Sequence, residues 1–291
     1  MIAMSLFAAV AMLQPTSAQT VPPEEGSPIV VTGRRNEADD MRDFVRAFTH
    51  TRPGVLPSRF EQTVCPAALG LHPLQAAAVV RRMRRVAKEV GIPVAGERCA
   101  PNVVVMVTRD KQVFLEELKR KHAAYFGQLS WSQVRKLARQ PGPAVAWQTE
   151  GAPISARGVE LFYDPAYNAY VNKTTDAPSR MTAGARPQYD GAVVVVERRA
   201  LAGLTVTQLA DYAAIRSFAG ADPKRLGPTS LPTILRVLEA PMGTAVPLSM
   251  TQWDLAFLRG FYSAPRNINT AGQRSAIDRS MKKDLARARK Q

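Results

Sequence analysis

The chain has 291 residues, of which 39 are Lys or Arg and 24 are Asp or Glu, so its formal net charge at pH 7 is +15. Beyond residue 18, no segment contains the about 20 consecutive apolar residues of a membrane-spanning helix, which excludes such a helix from the mature chain. A basic surface attracts phosphates, anionic lipids and polymeric carboxylates without specifying a partner, and it can also serve only to keep a protein in solution.

The first 18 residues have the features of a signal peptide. They carry no charged side chain, include an apolar run at residues 6–13, and place small residues at Thr16 and Ala18. An apolar stretch followed by a small-x-small site predicts cleavage after Ala18, although the basic residues that usually precede the apolar run are missing. We therefore predict a periplasmic or secreted protein. The alternative is that these residues form a buried N-terminal helix.

Cys65 and Cys99 are the only cysteines of the chain. In an oxidising compartment an isolated pair of this kind normally forms a disulfide. Neither cysteine lies in a C-x-x-C or metal-ligand pattern, so redox catalysis and zinc binding are not indicated. The loop that the bond would close is long enough to stabilise the fold by about 3–4 kcal/mol, and we predict a structural disulfide.

Residues 19–36 have the composition of a flexible linker, with three prolines and no core-forming pattern. Within the linker, residues 29–35 (IVVTGRR) resemble a segment near the mature start of TonB-dependent outer-membrane receptors of alphaproteobacteria. In such receptors the segment can pair as an added strand with an energy-transducing partner. The rest of the chain lacks the many alternating strands of a receptor barrel, so the segment is either a docking strand or a tether.

Hydrophobic periodicity predicts the first elements of a folded domain from residue 37. Helices are predicted at residues 37–49, from Pro73 for about 17 residues, and at 111–125 and 131–139. Strands are predicted at residues 59–64 and, as a fully buried run, at 102–108. The predicted disulfide would then join the start of the basic helix to the start of a central strand.

From residue 141 the pattern changes to short apolar runs separated by Pro, Gly and Asn. Strands are predicted at residues 144–148, 159–163, 168–172 and 191–197, and helices at 205–218, 231–238 and 251–262. The order predicts an α+β fold with a small mixed or antiparallel sheet, flanking helices and a helical C-terminal third. We expect one domain at residues 37–270, with an optional sub-boundary near 141, followed by a basic helix or tail at 271–291.

The sequence contains no recognisable catalytic or metal-binding motif. Its three histidines, His50, His72 and His122, lie far apart, and no H-E-x-x-H, G-x-S-x-G or phosphate-binding glycine loop occurs. No catalytic residue, metal or cofactor is therefore predicted. One alternative stays open, because four carboxylates in the β-rich segment could supply an acid–base pair: Glu160, Asp164, Asp190 and Glu197.

Aromatic residues cluster around the predicted strands at 159–172. Tyr163, Tyr167 and Tyr170 lie close in sequence to Phe162 and could stack on a sugar or a peptide. Such a cluster is more often a sheet face packed beneath helices, and we expect packing here.

Basic residues surround the apolar stripe of the helix that begins at Pro73, and further basic residues lie at 119–121 and in the C-terminal tail. The candidates for anion binding are Arg81, Arg82, Arg84, Arg85, Lys88, Lys119, Arg120, Lys121, Lys282 and Lys283. The tail has few apolar anchors, so we expect it to fray and to be the better surface contact.

Three segments resemble a family of secreted proteins from sphingomonad-type alphaproteobacteria. They are residues 81–108 (RRMRRVAKEVGIPVAGERCAPNVVVMVT), 193–220 (VVVVERRALAGLTVTQLADYAAIRSFAG) and 247–265 (PLSMTQWDLAFLRGFYSAP). The resemblance supports export and one continuous domain but implies no activity. The order of sheet and long helix is also similar to zincin-like peptidases, but the helix at 205–218 contains no histidine to bind zinc.

These observations predict a non-catalytic periplasmic or envelope protein that binds an anionic envelope component, or another envelope protein, through its basic surface. No nucleic-acid partner is expected. The alternatives are a cell-wall or peptide hydrolase that uses the four carboxylates, and a partner of TonB-type machinery that docks through residues 29–35.

Overall fold

The computed structural model describes residues 37–51, 55–175, 178–227, 231–241 and 243–290. The predicted signal peptide, the linker and residues 29–35 lie outside these ranges. The α-helices are α1 Glu37–Phe48, α2 Pro73–Glu89, α3 Lys111–Lys121, α4 Trp131–Ala138, α5 Val206–Phe218, α6 Gln252–Ser263 and α7 Thr270–Ala288. The strands are β1 Arg59–Phe60, β2 Pro66–Leu69, β3 Val103–Thr108, β4 Ala144–Glu150, β5 Ile154–Ser155, β6 Phe162–Asp164, β7 Ala169–Val171, β8 Ala185–Arg186 and β9 Gln188–Glu197.

The long strand β9 is the centre of a mixed five-stranded sheet. It runs parallel to β1 and β3 and antiparallel to β4, while β2 extends the sheet beyond β3. Two further antiparallel pairs, β5–β8 and β6–β7, form separate small sheets. The predicted α+β class, with small sheets, flanking helices and a helical C-terminal region, is confirmed.

Helices cover both faces of the central sheet. Val105 and Val194 are register partners and belong to a core that includes residues of α1, α2, α5, α6 and α7. The neighbouring Val104 and Val193 belong to a second core with residues of α3, α4 and the segment around Phe126. Burial on both faces explains why β3 and β9 are continuous runs of β-branched residues rather than alternating ones.

The predicted disulfide between Cys65 and Cys99 is present, with an S–S distance of 2.00 Å and a Cα–Cα distance of 6.0 Å. Cys65 immediately precedes β2, and Cys99 lies four residues before β3. Pro73 opens α2, which carries the chain between these two parallel strands. The bond thus ties together the starts of two adjacent strands.

Among the predicted elements that are shorter than expected, two differ most from the prediction. The predicted strand at 59–64 is only the two-residue β1, because from Ala192 onward the same edge of β9 pairs with β3. The predicted helix at 231–238 is a single 3₁₀ turn, Ile234–Arg236. The buried Asp254 carboxylate accepts hydrogen bonds from Thr233 Oγ1 at 2.7 Å and from the Ile234 N–H at 2.9 Å, which fixes the start of this turn.

The C-terminal tail is helical and packed, whereas the sequence predicts that it frays. It forms α7, whose Gln273, Ile277 and Met281 are buried. Gly260 of α6 permits close contact, because a Cβ atom there would lie 3.2 Å from the Ile277 carbonyl oxygen. The expectation that the tail has few apolar anchors and frays is therefore wrong. None of the helices in the described residues is long and apolar enough to cross a membrane.

Candidate functional site

A cleft of about 610 Å³ lies beside β4, the strand at one edge of the central sheet. Its walls come from β4, the start of β9, and the segments that follow α1 and α5. We call it the β4 cleft and define it by its principal polar lining: His50, Ser58, Gln148, Glu150, Tyr189, Arg216, Asp222 and Arg225.

The alternation of β4 explains how polar side chains reach the cleft. Val145 and Trp147 point into the core on one face of the sheet, whereas Ala146, Gln148 and Glu150 line the cleft on the other. Gln148 Nε2 donates a hydrogen bond to the Arg216 carbonyl oxygen at 2.7 Å, and Ser58 Oγ donates to Glu150 Oε1 at 3.1 Å. These bonds connect β4 to α5 and to the segment before β1.

Gly220 lets the chain after α5 approach β9 closely. Its φ is +59°, and a Cβ atom at this position would lie 2.8 Å from the Tyr189 hydroxyl oxygen. A tyrosine hydroxyl is protonated at neutral pH, and burial raises the pKa of Tyr189 further. At this point the cleft wall therefore presents the neutral hydroxyl of Tyr189. The adjacent Gly220 cannot be replaced by a larger residue without a clash.

Arg216 is the most unusual residue of the cleft. It is 5% exposed, and its Nη1 donates to the Tyr212 hydroxyl oxygen at 3.1 Å. Its Nε is buried and has no hydrogen-bond partner, and the guanidinium forms no ion pair with any carboxylate in the described ranges. Buried charges are normally paired, because desolvation costs several kcal/mol.

Arg82 provides a contrast on the neighbouring helix. Its Nε and Nη2 donate to the two carboxylate oxygens of the fully buried Asp211, at 2.7 and 2.9 Å. The same carboxylate accepts the Met250 N–H at 2.6 Å. The positive charge of Arg82 is therefore balanced by the Asp211 carboxylate. Arg216 lacks an equivalent partner among the described residues.

Three of the ten predicted anion-binding residues bond to other segments of the fold. Arg82 pairs with Asp211, Arg84 donates to the Ala95 carbonyl oxygen, and Lys119 Nζ donates to the Leu129 carbonyl oxygen at 2.9 Å.

Lys121 and Lys282 form ion pairs along their own helices, with Glu117 at 2.6 Å and Asp278 at 2.8 Å. The other predicted residues are exposed: Arg81, Arg85, Lys88, Arg120 and Lys283. The structure does not gather the ten into one site, since they lie on three helices, α2, α3 and α7.

The four carboxylates of the hydrolase alternative do not meet in the β4 cleft. Asp190 and Glu197 lie seven residues apart on β9, a separation of about 23 Å along an extended strand. Glu160 accepts a hydrogen bond from Gln188 Nε2 at 2.9 Å, and Asp164 accepts the Ala166 N–H at 2.9 Å. None of the four is among the described residues that line the cleft.

The tyrosine cluster is exposed, and the expectation that it packs beneath helices is wrong. Phe162, Tyr163, Tyr167 and Tyr170 lie on β6, β7 and the turn between them, and all four are exposed. The hairpin is an outward-facing feature rather than a part of either core.

The histidines do not form a metal site. His50 lines the β4 cleft, His72 precedes α2, and His122 follows α3. Across the described ranges, no three His, Cys, Asp or Glu side chains are close enough to hold a metal ion.

Comparison with known proteins finds no matching family model, no matching curated protein and no matching solved structure. The cleft is therefore interpreted from its own geometry. The sequence marks its central residue weakly: Arg216 is the only charged residue between Tyr212 and Gly220 (YAAIRSFAG), in a largely apolar stretch.

Proposed function

We propose that this chain is an exported, non-catalytic binding protein of the bacterial cell envelope that holds a small anionic ligand on Arg216 in the β4 cleft. The observation that carries the proposal is the buried guanidinium of Arg216, which lacks a carboxylate partner in the described part of the chain. A bound carboxylate or phosphate would supply the missing counter-charge, and a guanidinium fork suits both groups.

The surroundings of Arg216 support a small ligand rather than a polymer. The cleft volume of about 610 Å³ falls within the about 300–1,000 Å³ of small-molecule sites. Gln148 and Tyr189 add hydrogen-bonding groups, while Glu150 and Asp222 place negative charge elsewhere on the wall. The net charge of +15 favours the approach of any anion.

The disulfide supports the proposed compartment. A Cys65–Cys99 bond persists in an oxidising environment such as the periplasm and is rare in the cytosol. The signal-peptide features of the first 18 residues point the same way.

A comparison of two arginine variants tests the cleft. Thermal unfolding is measured with inorganic phosphate, glycerol 3-phosphate and succinate for the wild type, Arg216→Met and Arg85→Met. We expect at least one probe to raise Tm of the wild type and of Arg85→Met, but not of Arg216→Met, because only Arg216 is buried in the cleft. An equal shift in Arg216→Met, or no shift with any of the three probes, contradicts the proposal.

A second candidate function is favoured by the outer face of α2. Arg81, Arg85 and Lys88 are exposed and spaced at i, i+4 and i+7, so they lie on one face of the helix. Such a basic stripe suits a polyanion such as lipopolysaccharide. Co-sedimentation with lipopolysaccharide over a salt series should then weaken in the Arg81→Gln/Arg85→Gln/Lys88→Gln variant and persist in Arg216→Met. Equal sedimentation of the triple variant and the wild type at low salt removes this candidate.

A further inference from the structure

The hairpin formed by β6 and β7 exposes four aromatic side chains. The exposed fractions are 56% for Phe162, 44% for Tyr163, 77% for Tyr167 and 45% for Tyr170. Tyr163 and Tyr170 are cross-strand partners, with ring centroids 5.4 Å apart and ring planes at 70°. We call these four residues, with the turn that joins them, the aromatic hairpin.

Exposure of this kind needs a reason. An isolated two-stranded hairpin is marginally stable in water, and large aromatic side chains are usually at least partly buried. Nearly half of the large hydrophobic side chains that are exposed in the described ranges lie between Val159 and Met181. A concentration of exposed apolar surface in so short a stretch is typical of an interaction site.

The local charge argues against an anionic partner. Residues 157–181 contain three basic residues, Arg157, Lys173 and Arg180, which are balanced by three acidic ones, Glu160, Asp164 and Asp176. The stretch is neutral although the chain carries +15. Other surfaces of this molecule would attract an anionic membrane or polyanion more strongly. The absence of net charge around the aromatic hairpin therefore favours an uncharged ligand.

The side-chain chemistry matches a sugar. A pyranose ring has faces of C–H groups and a rim of hydroxyls, and tyrosine likewise joins an apolar ring to a polar tip. The Tyr163 hydroxyl donates to Asn168 Oδ1, and Asn168 has a φ of +48°, so the turn fixes the position of this ring. Because the Tyr163 and Tyr170 planes are inclined at 70°, they form a corner that suits a single flexible glycan chain better than a flat crystalline surface.

We propose that the aromatic hairpin is a second binding site, independent of the β4 cleft, for an uncharged polysaccharide chain. Tyr163 and Tyr170 stack against successive sugar rings, and Tyr167 contacts the chain at the turn. The contact depends on ring stacking and hydroxyl hydrogen bonds, so it persists at salt concentrations that screen surface charges.

The test measures binding of chitotetraose and cellotetraose by ligand-observed NMR and calorimetry at about 0.5 M NaCl, where the Debye length is only a few ångströms. We expect at least one of the two sugars to bind the wild type and to lose about tenfold or more in affinity in Tyr163→Ala/Tyr170→Ala. Tyr125→Ala is the matched control, since Tyr125 is also an exposed tyrosine, at 37%, but lies outside the hairpin.

Each other outcome contradicts the proposal. Failure of the wild type to bind either tetrasaccharide, or equal affinity in the wild type and the double variant, would remove the sugar site. Loss of binding in Tyr125→Ala would place the sugar elsewhere. Sedimentation with anionic phospholipid vesicles that depends on Tyr163 and Tyr170, without sugar binding, would reassign the hairpin to a membrane surface. Far-UV circular dichroism of the double variant confirms that the fold is retained.

Discussion

Arg216 and Arg82 lie on adjacent helices but meet opposite electrostatic conditions. Arg82 shares a bidentate pair with Asp211, whereas Arg216 has the neutral Tyr212 hydroxyl as its side-chain partner and an aromatic ring 5.6 Å from its guanidinium carbon. A residue kept for stability would be expected to have the partner that Arg82 has. If Arg216 binds an anion as proposed, its unpaired charge costs the free protein stability that the bound ligand would offset.

The first prediction concerns the stability of Arg216→Met. Methionine fills similar space without a buried charge. We therefore expect the free energy of unfolding of the ligand-free variant to equal that of the wild type or to exceed it by up to about 2 kcal/mol. Urea unfolding measures it. Asp211→Ala is the contrast and should cost about 2–3 kcal/mol, because it leaves Arg82 and the Met250 N–H without their carboxylate. A loss of similar size in Arg216→Met would make Arg216 a structural residue.

The second prediction concerns buried tyrosines at alkaline pH. Burial raises the pKa of Tyr212 and Tyr262 above the ordinary value of 10.0, and the pKa of the half-buried Tyr189 is raised in the same direction. Above pH of about 10, the unfolded chain therefore releases protons that the folded chain retains, and the free energy of unfolding falls as pH rises, by up to about 1.4 kcal/mol per pH unit for each fully buried tyrosine.

Urea unfolding of the wild type and Tyr262→Phe between about pH 8 and 11 tests this dependence. Tyr262 donates to the Phe218 carbonyl oxygen at 2.7 Å, so the variant should be less stable than the wild type near pH 8. Because the variant lacks the titrating hydroxyl, its pH slope should be smaller, and the difference in stability should narrow toward pH 11. The exposed Tyr125→Phe should keep the wild-type slope. An unchanged slope in Tyr262→Phe contradicts the argument.

At the scale of elements, α7 shows how a basic, polar helix is held in place. Its exposed face carries Lys282 and Lys283, while Ile277 and Met281 are fully buried against the core that includes α6. Arg274 adds bonds to Thr49 after α1, from Nε to Oγ1 and from Nη2 to the carbonyl oxygen, both at 2.9 Å. The buried side chains and the Arg274 bonds thus hold α7 against α6 and the residue that follows α1.

The third prediction follows from this packing. Ile277→Ala should lower the free energy of unfolding by about 2–4 kcal/mol, because it opens a cavity between α6 and α7. Lys283→Ala, which changes an exposed residue of the same helix, should stay within about 0.5 kcal/mol of the wild type. Chemical unfolding compares the two. A cost below about 1 kcal/mol for Ile277→Ala would mean that the tail is loosely attached, as the sequence suggested.

The elements that could be predicted from the sequence are those with strong local patterns. The β-branched runs of β3 and β9, the Pro73 start of α2 and the Cys65–Cys99 pair all carry their signal within a few residues. The β4 cleft could not be predicted, because strand pairing joins residues about 40 to 50 positions apart and the segments after α1 and α5 complete its lining. The missing partner of Arg216 is likewise a tertiary property that no local pattern encodes.

At the scale of the whole molecule, the two cores share one sheet. Strand β9 pairs with β3, which precedes residue 141, and with β4, which follows it. Val194 is buried in the core on one face and Val193 and Val195 in the core on the other. Displacement of β9 would therefore disrupt both cores, even though the sequence pattern changes at residue 141.

The fourth prediction is that both cores unfold in one transition. Trp147 is buried in one core, Trp253 packs against the other, and the third tryptophan, Trp131, is exposed. The variants Trp131→Phe/Trp253→Phe and Trp131→Phe/Trp147→Phe each leave one fluorescent reporter. We expect fluorescence and circular dichroism to give a single coincident urea midpoint within each variant, because the shared β9 couples the two cores. A fluorescence midpoint well separated from the circular dichroism midpoint in either variant would mean that the two cores unfold independently, with a boundary near residue 141.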